Sequence, residues 1–112
     1  MKENCIFCRI AAGEIPAEIV YQDDDVVAFK DIHPSAPLHV LIIPRKHVET
    51  VLDADKGIAD VIFHGAKQVA LKLGLEAKGF RLVTNCGTDA GQEVMHIHTH
   101  MLAGRAFGWP PG

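Results

Sequence analysis

The chain has no excess of basic charge, no apolar run of membrane length, no internal repeat and only three cysteines. Each absence narrows the function. A net charge of −3 argues against a nucleic-acid polymer as partner, since a large footprint needs a basic stripe to displace counterions. One small anion remains possible, because a few local donors hold a single phosphate whatever the net charge. A membrane helix needs about 20 consecutive apolar residues, and no segment approaches that, so no membrane partner is expected. The opening Met1-Lys2-Glu3-Asn4-Cys5 lacks the apolar run of a secretory signal. The expected compartment is therefore the cytoplasm, where thiols stay reduced. No linker or low-complexity tract divides the 112 residues, so a single domain spanning 1–112 is expected, long enough to bury a core.

What is present reads as α+β. Residues 6–12 suggest a short helix ending near Gly13. Residues 18–21 read as a strand, 23–25 as a turn and 26–30 as the antiparallel partner. His33-Pro34-Ser35-Ala36-Pro37 must be a loop, since its prolines break any ladder. His39-Val40-Leu41-Ile42-Ile43 is apolar and rich in β-branched residues, as a central strand is, and Pro44 ends it. A helical turn is expected near 47–52. Ile58, Val61, Ile62, Val69 and Leu73 recur at helical spacing, with Gly65 and Ala66 near that stripe, which predicts one long amphipathic helix over 56–74. Residues 80–85 form another strand and 86–92 a loop. The order implies an antiparallel sheet packed on one long helix plus short helices.

The most informative feature is His96-Ile97-His98-Thr99-His100. Strand side chains alternate between faces, so this spacing puts three imidazoles in one row, about 6.5–7 Å apart. Met95, Ile97, Thr99 and Met101 take the opposite, core-facing side. The row then lies away from the helix and lines a cleft. Imidazole serves as nucleophile, proton shuttle or metal ligand near neutral pH. His98, the middle ring, is a competent nucleophile toward phosphorus or acyl carbon. It works in one tautomer only, so its other nitrogen must donate to a carbonyl or carboxylate. The neighbouring histidines would polarise phosphate oxygens. His39 opens a strand and points toward the same cleft. Ahead of the row, Asn85, Gly87, Gly91 and Gln92 suit an anion nest, in which glycines let backbone amides approach a phosphate. Asp31 is placed to accept from a ribose hydroxyl or to cap a turn.

Cys5-Ile6-Phe7-Cys8 has metal-ligand spacing. His47 and His96 would complete a closed zinc site of two cysteines and two histidines. The other reading is a pair of buried thiols. Cys86 reads as a small core residue.

The row, followed by Met101-Leu102, matches the His-x-His-x-His pattern of the histidine triad (HIT) family. The chain resembles its Hint-type, nucleotide-binding branch of phosphoramidases from end to end. The matching stretches are Ile6-Phe7 with Ile10, Glu14-Ile15-Pro16-Ala17, Phe29-x-Asp31-Ile32, Pro34-x-Ala36-Pro37-x-His39, Ile43-Pro44-x-Lys46-His47, Gly91-Gln92 and Trp109-Pro110-Pro111-Gly112. The resemblance implies a five-stranded antiparallel sheet and a homodimer with one continuous sheet. It implies hydrolysis of nucleoside phosphoramidates of the adenylate–amine type, with no catalytic cofactor. By position, His98 is the nucleophile, and His100 and His39 contact the α-phosphate. Asn85 and the Gly91 amide, beside Gln92, bind its oxygens or the scissile region. Asp31 holds the ribose, and Ile6, Phe7, Ile10, Phe29, Ile32 and Leu41 wall the purine pocket. Trp109 reaches toward the partner subunit's site. Zinc-bearing members of the wider family fill the positions of Cys5, Cys8, His47 and His96, whereas familiar Hint members often lack the cysteine pair. If zinc takes His96, that ring supports His98 and is no free base. Glu93 stands where a Ser commonly follows Gly-Gln, and its carboxylate would act as general acid or select a cationic leaving amine. Two other functions fit the residues: a metal-dependent hydrolase whose ion is held by His96, His98 and His100 or His39, and a purine-nucleotide sensor with weak turnover.

Overall fold

The computed structural model describes residues 2–112. Helix α1, Ile6–Ala11, is N-capped by Cys5, whose thiol accepts the Cys8 N–H. Gly13 follows it with φ 79°, the left-handed conformation that ends helices. Strands β1 (Ile19–Gln22) and β2 (Val26–Lys30) flank a turn built on Asp23. Its Oδ1 accepts the Asp25 and Val26 N–H groups at 2.8 and 2.9 Å. Strand β3, Leu38–Pro44, leads to a 3₁₀ turn at Val51–Asp53. Helix α2, Lys56–Lys72, is capped by Asp55, whose Oδ1 accepts the Ile58 N–H. Strands β4 (Arg81–Val83) and β5 (Thr99–Ala103) complete a five-stranded sheet of order β1-β2-β3-β5-β4. All neighbours are antiparallel, which is the expected α+β architecture. Among the described residues no helix is long and apolar enough to cross a membrane.

The sheet's alternation sorts its residues to two faces. Val26, Ala28, Val40, Ile42 and Met101 pack against Ala66, Val69 and Ala70 of α2. The contact is close at Gly65, where a Cβ would stand 3.1 Å from both methyls of Val26. On the other face, Val27, Phe29, Leu41 and Ile43 are covered by Cys5, Phe7 and Cys8. The register pairs Leu41 with His100 and His39 with Leu102. Both histidines therefore stand on the face away from α2.

One expectation needs correction. Only His100 lies in the regular ladder, because β5 begins at Thr99. Pro44 has no N–H to offer, its carbonyl is taken by His96 Nε2 at 2.8 Å, and the Ile97 N–H goes to the Val48 carbonyl at 2.6 Å. The chain bends through 94–96 and joins the ladder only at Thr99. Alternation survives from 97 onward, with Ile97, Thr99 and Met101 buried. It fails at Met95, which is 47% exposed and not in the core. Cys86 is half-buried.

Candidate active site

Hydrogen bonds fix the tautomers of three rings. His98 Nδ1 lies 2.8 Å from the His96 carbonyl. A carbonyl only accepts, so Nδ1 carries the hydrogen and Nε2 holds a free lone pair. At His39, Nδ1 accepts the Ser35 N–H at 3.0 Å, so the hydrogen of the neutral ring is on Nε2. That atom lies 2.8 Å from His100 Nδ1, which therefore accepts, and His100 carries its hydrogen on Nε2. The Asp31 carboxylate stands 3.5 Å from His39 Nε2. The His98 and His100 ring centres are 5.2 Å apart, and those of His39 and His100 5.1 Å. The three rings thus pair one nucleophilic lone pair with one N–H donor.

Burial pushes the pKa of His39 down, opposed by the Asp31 carboxylate. Burial also lowers His100, helped by His98 and His39 and opposed by Asp31. Both rings are thereby held neutral, the state in which the relay from Ser35 operates.

His96 belongs to a second cluster. Its Nε2 donates to the Pro44 carbonyl, so its Nδ1 lone pair faces Cys5 Sγ at 3.4 Å and Cys8 Sγ at 3.6 Å. His47 Nδ1 is 3.3 Å from Cys8 Sγ. One ligand atom from each of Cys5, Cys8, His47 and His96 lies within 4.8 Å of the others. His47 Nε2 is buried with no hydrogen-bond partner. Burial lowers the pKa of His96 and raises that of Cys8. The ligand set of His96, His98 and His100 or His39 is not brought together, since His96 turns to the thiols and His98 Nδ1 is spent on a carbonyl. Asp31, His39 and His100 form the other converging group.

The remaining expected residues divide. Phe7 meets His98 edge-on at 5.0 Å and also contacts Phe29 and His96. Phe7, Phe29 and Leu41 are buried behind the rings. Ile10 is half-buried, Ile6 exposed and Ile32 86% exposed. Asp31 Oδ1 accepts the His33 N–H, which orients the carboxylate. Asn85 is half-buried and Gly91 exposed, with φ 84°. Gln92 is committed to the loop: its Oε1 accepts the Gly87 N–H, and its Nε2 donates to the Glu49 and Val94 carbonyls. Glu93 lines a hollow of about 360 Å³ with Ile6, His47, Glu49 and Met95. Trp109 is 83% exposed on the tail. A larger cavity of about 400 Å³ lies behind the imidazole row, among Val51, Ile62, Phe63, Leu82, Ile97 and Thr99.

Sequence reasoning missed the residues that brace these. The Ser35 N–H was signalled only by a loop with two prolines just before His39. Nothing marked Phe107, whose ring lies 5.2 Å from the Arg81 guanidinium and 4.2 Å from that of Arg105. Arg81 also donates to the Gly108 carbonyl.

His39 and His100 both have folded pKa values below the unfolded value of about 6.5. A depressed pKa means the unfolded chain binds the proton more tightly. The stabilisation is complete above that pH and is lost as pH falls through it. The urea midpoint should be level between pH of about 7 and 8 and drop on acidification below about 6.5. A midpoint that rises on acidification contradicts this.

Comparison with known proteins agrees with the geometry. The HIT domain family model matches residues 12–107. A protein of Escherichia coli K12 named purine nucleoside phosphoramidase is 46% identical over 112 residues, spanning 96% of this chain and 93% of its own. A protein of Synechocystis described as an uncharacterized HIT-like protein is 48% identical over the full length of both chains. The crystal structure of a HIT family hydrolase from Legionella pneumophila superposes with a TM-score of 0.89 at 49% identity, covering 97% of this chain and all of that one. The match in sequence, fold and extent shows that this chain belongs to the HIT domain family.

Proposed function

We propose that the chain hydrolyses nucleoside phosphoramidates, adenylate joined to an amine, giving the nucleoside monophosphate and the free amine. The observation that carries this reading is the 2.8 Å bond from His98 Nδ1 to the His96 carbonyl, which leaves Nε2 as a lone pair. That lone pair forms a bond to phosphorus as the P–N bond breaks. The amine leaves with the electron pair and takes up a proton from solvent. Water then attacks phosphorus and gives up a proton to solvent, the bond to Nε2 breaks, and the pair returns to the ring. Covalent catalysis thus divides one hard displacement into two easier ones. The His100 Nε2–H donates to an α-phosphate oxygen where charge develops, with His39 behind it. Asn85 and the Gly91 amide bind the other oxygens. Asp31 holds the ribose, Ile6, Ile10 and Ile32 cover the purine over Phe7, Phe29 and Leu41, and Glu93 faces the leaving amine. The name and 46% identity of the Escherichia coli relative support the substrate class. Against an adenosine phosphoramidate, His98→Ala should lose on the order of 10³-fold or more in kcat/KM. Release of adenylate at the wild-type rate overturns the nucleophile.

The cysteine cluster fits a structural zinc. A tetrahedral ion with Zn–S of about 2.3 Å and Zn–N of about 2.0–2.1 Å sets sulfur and nitrogen roughly 3.5 Å apart; three of the four sulfur–nitrogen pairs stand at 3.3–3.6 Å, and all four ligand atoms lie within 4.8 Å of one another. The donation from His96 Nε2 to the Pro44 carbonyl orients that ring as ligand-supporting bonds do. Zinc would hold the thiols deprotonated and cross-link α1 to the strands, as folding energy. Elemental analysis should find about one zinc per chain, with loss of both zinc and thermal stability in Cys5→Ser. A chain that neither carries nor takes up zinc contradicts the site.

A homodimer is part of the same reading. Strand β4 is an edge strand, and beside it Phe63 (67% exposed), Leu71, Phe80 and Leu82 line an apolar groove. A second copy would cover the groove, pair the edge and bring Trp109 toward the partner's site. Light scattering should give twice the chain mass of 12.2 kDa, falling toward one mass in Phe63→Asp. A monomer at all concentrations contradicts it.

A further inference from the structure

We infer that the corner at Gly104–Arg105, where β5 leaves the sheet, is a positioning element for His39 and His100, acting through the loop of residues 33–37. The inference rests on the reaction proposed above. The Ser35 N–H donates to His39 Nδ1 at 3.0 Å and so selects the tautomer of both rings. Two contacts from the corner hold that loop. Arg105 Nη2 donates to the Ser35 carbonyl at 3.3 Å, gripping the residue whose N–H reaches His39. Gly104, with φ +96°, lies so close to Pro37 that a Cβ there would stand 2.8 Å from the Pro37 Cβ. The guanidinium is itself braced, donating to the Ala106 carbonyl and resting 4.2 Å from the centre of the Phe107 ring.

The consequence is chemical. With the Ser35 N–H in place, His39 Nδ1 must accept, and His100 presents an N–H to the phosphate. With the loop displaced, His39 Nδ1 is free to carry the hydrogen. Its Nε2 then accepts from His100 Nδ1–H, and His100 turns a lone pair toward the phosphate oxygens. One misplaced backbone amide thereby converts the donor into a repelling acceptor. His98 is exempt, because its tautomer depends on the His96 carbonyl.

Two-bond ¹H–¹⁵N spectra of the histidine-labelled full chain, at pH of about 8 where the rings are neutral, read these tautomers directly. Wild type should show hydrogen on Nε2 of both His39 and His100. Arg105→Ala and Gly104→Ala should show mixed tautomers at both, with His98 unchanged, and kcat on an adenosine phosphoramidate lower by about tenfold. Arg105→Lys, which keeps one donor, should restore the wild-type pattern. If Gly104→Ala does not fold, Arg105→Ala decides alone. Unchanged tautomers at His39 and His100 in folded Arg105→Ala overturn the inference, even where turnover falls. Shifted tautomers in a chain whose wild type turns over no phosphoramidate uphold the positioning role and sink the proposed reaction instead.

Discussion

A single hydrogen bond, from His98 Nδ1 to the carbonyl two residues earlier, decides which nitrogen of that ring keeps a lone pair, and it forms where the sheet is interrupted. In a regular ladder the His96 carbonyl would point sideways at a neighbouring strand. Here the ladder with β3 stops at Thr99. The proline at 44 offers no N–H, and the Ile97 amide leaves for Val48. Outside the ladder, the His96 carbonyl meets His98 Nδ1 at 2.8 Å and fixes its tautomer. The fold thus gives up the end of one strand, and the loss is small because Ile97 and Thr99 remain buried on the other side.

The imidazole row is divided by environment into two units. His39 and His100 are joined by hydrogen bonds running back to Ser35, with Asp31 beside His39, and the His98 ring packs against His100. His96 joins the thiols of Cys5 and Cys8 and anchors α1 across the sheet. Phe7 links the units, since it lies between the two cysteines in sequence and meets both His96 and His98 edge-on. Edge-to-face contacts of this kind contribute about 0.5–1.5 kcal/mol each beyond area burial. The N-terminal helix is therefore part of the wall against which His98 rests.

Much of this was legible in the sequence because it depends on periodicity. The stripe from Ile58 to Leu73 gave the long helix, the β-branched run from Val40 gave the central strand, and Gly13 marked the end of the first helix. The i, i+2, i+4 histidines gave a shared face, and the spacing of Cys5 and Cys8 gave a thiol pair beside which His47 and His96 converge. The break at 94–98 was not legible, because alternation of side chains persists through residues that have left the ladder. Met95 was misplaced for that reason. The second role of Gln92, clamping its loop by three backbone bonds, depends on contacts with Gly87, Glu49 and Val94 that no local pattern encodes. The brace through Ser35, Gly104 and Arg105 joins segments roughly 70 residues apart and carries no periodic signal.

The central claim is that the substrate's phosphorus is transferred twice, first to a ring nitrogen and then to water. Hydrolysis of a nucleoside phosphoramidate made chiral at phosphorus with sulfur and isotopic oxygen tests this most directly. Two in-line displacements give net retention of configuration. Net inversion would mean a single direct attack by water, and His98 would not be the nucleophile.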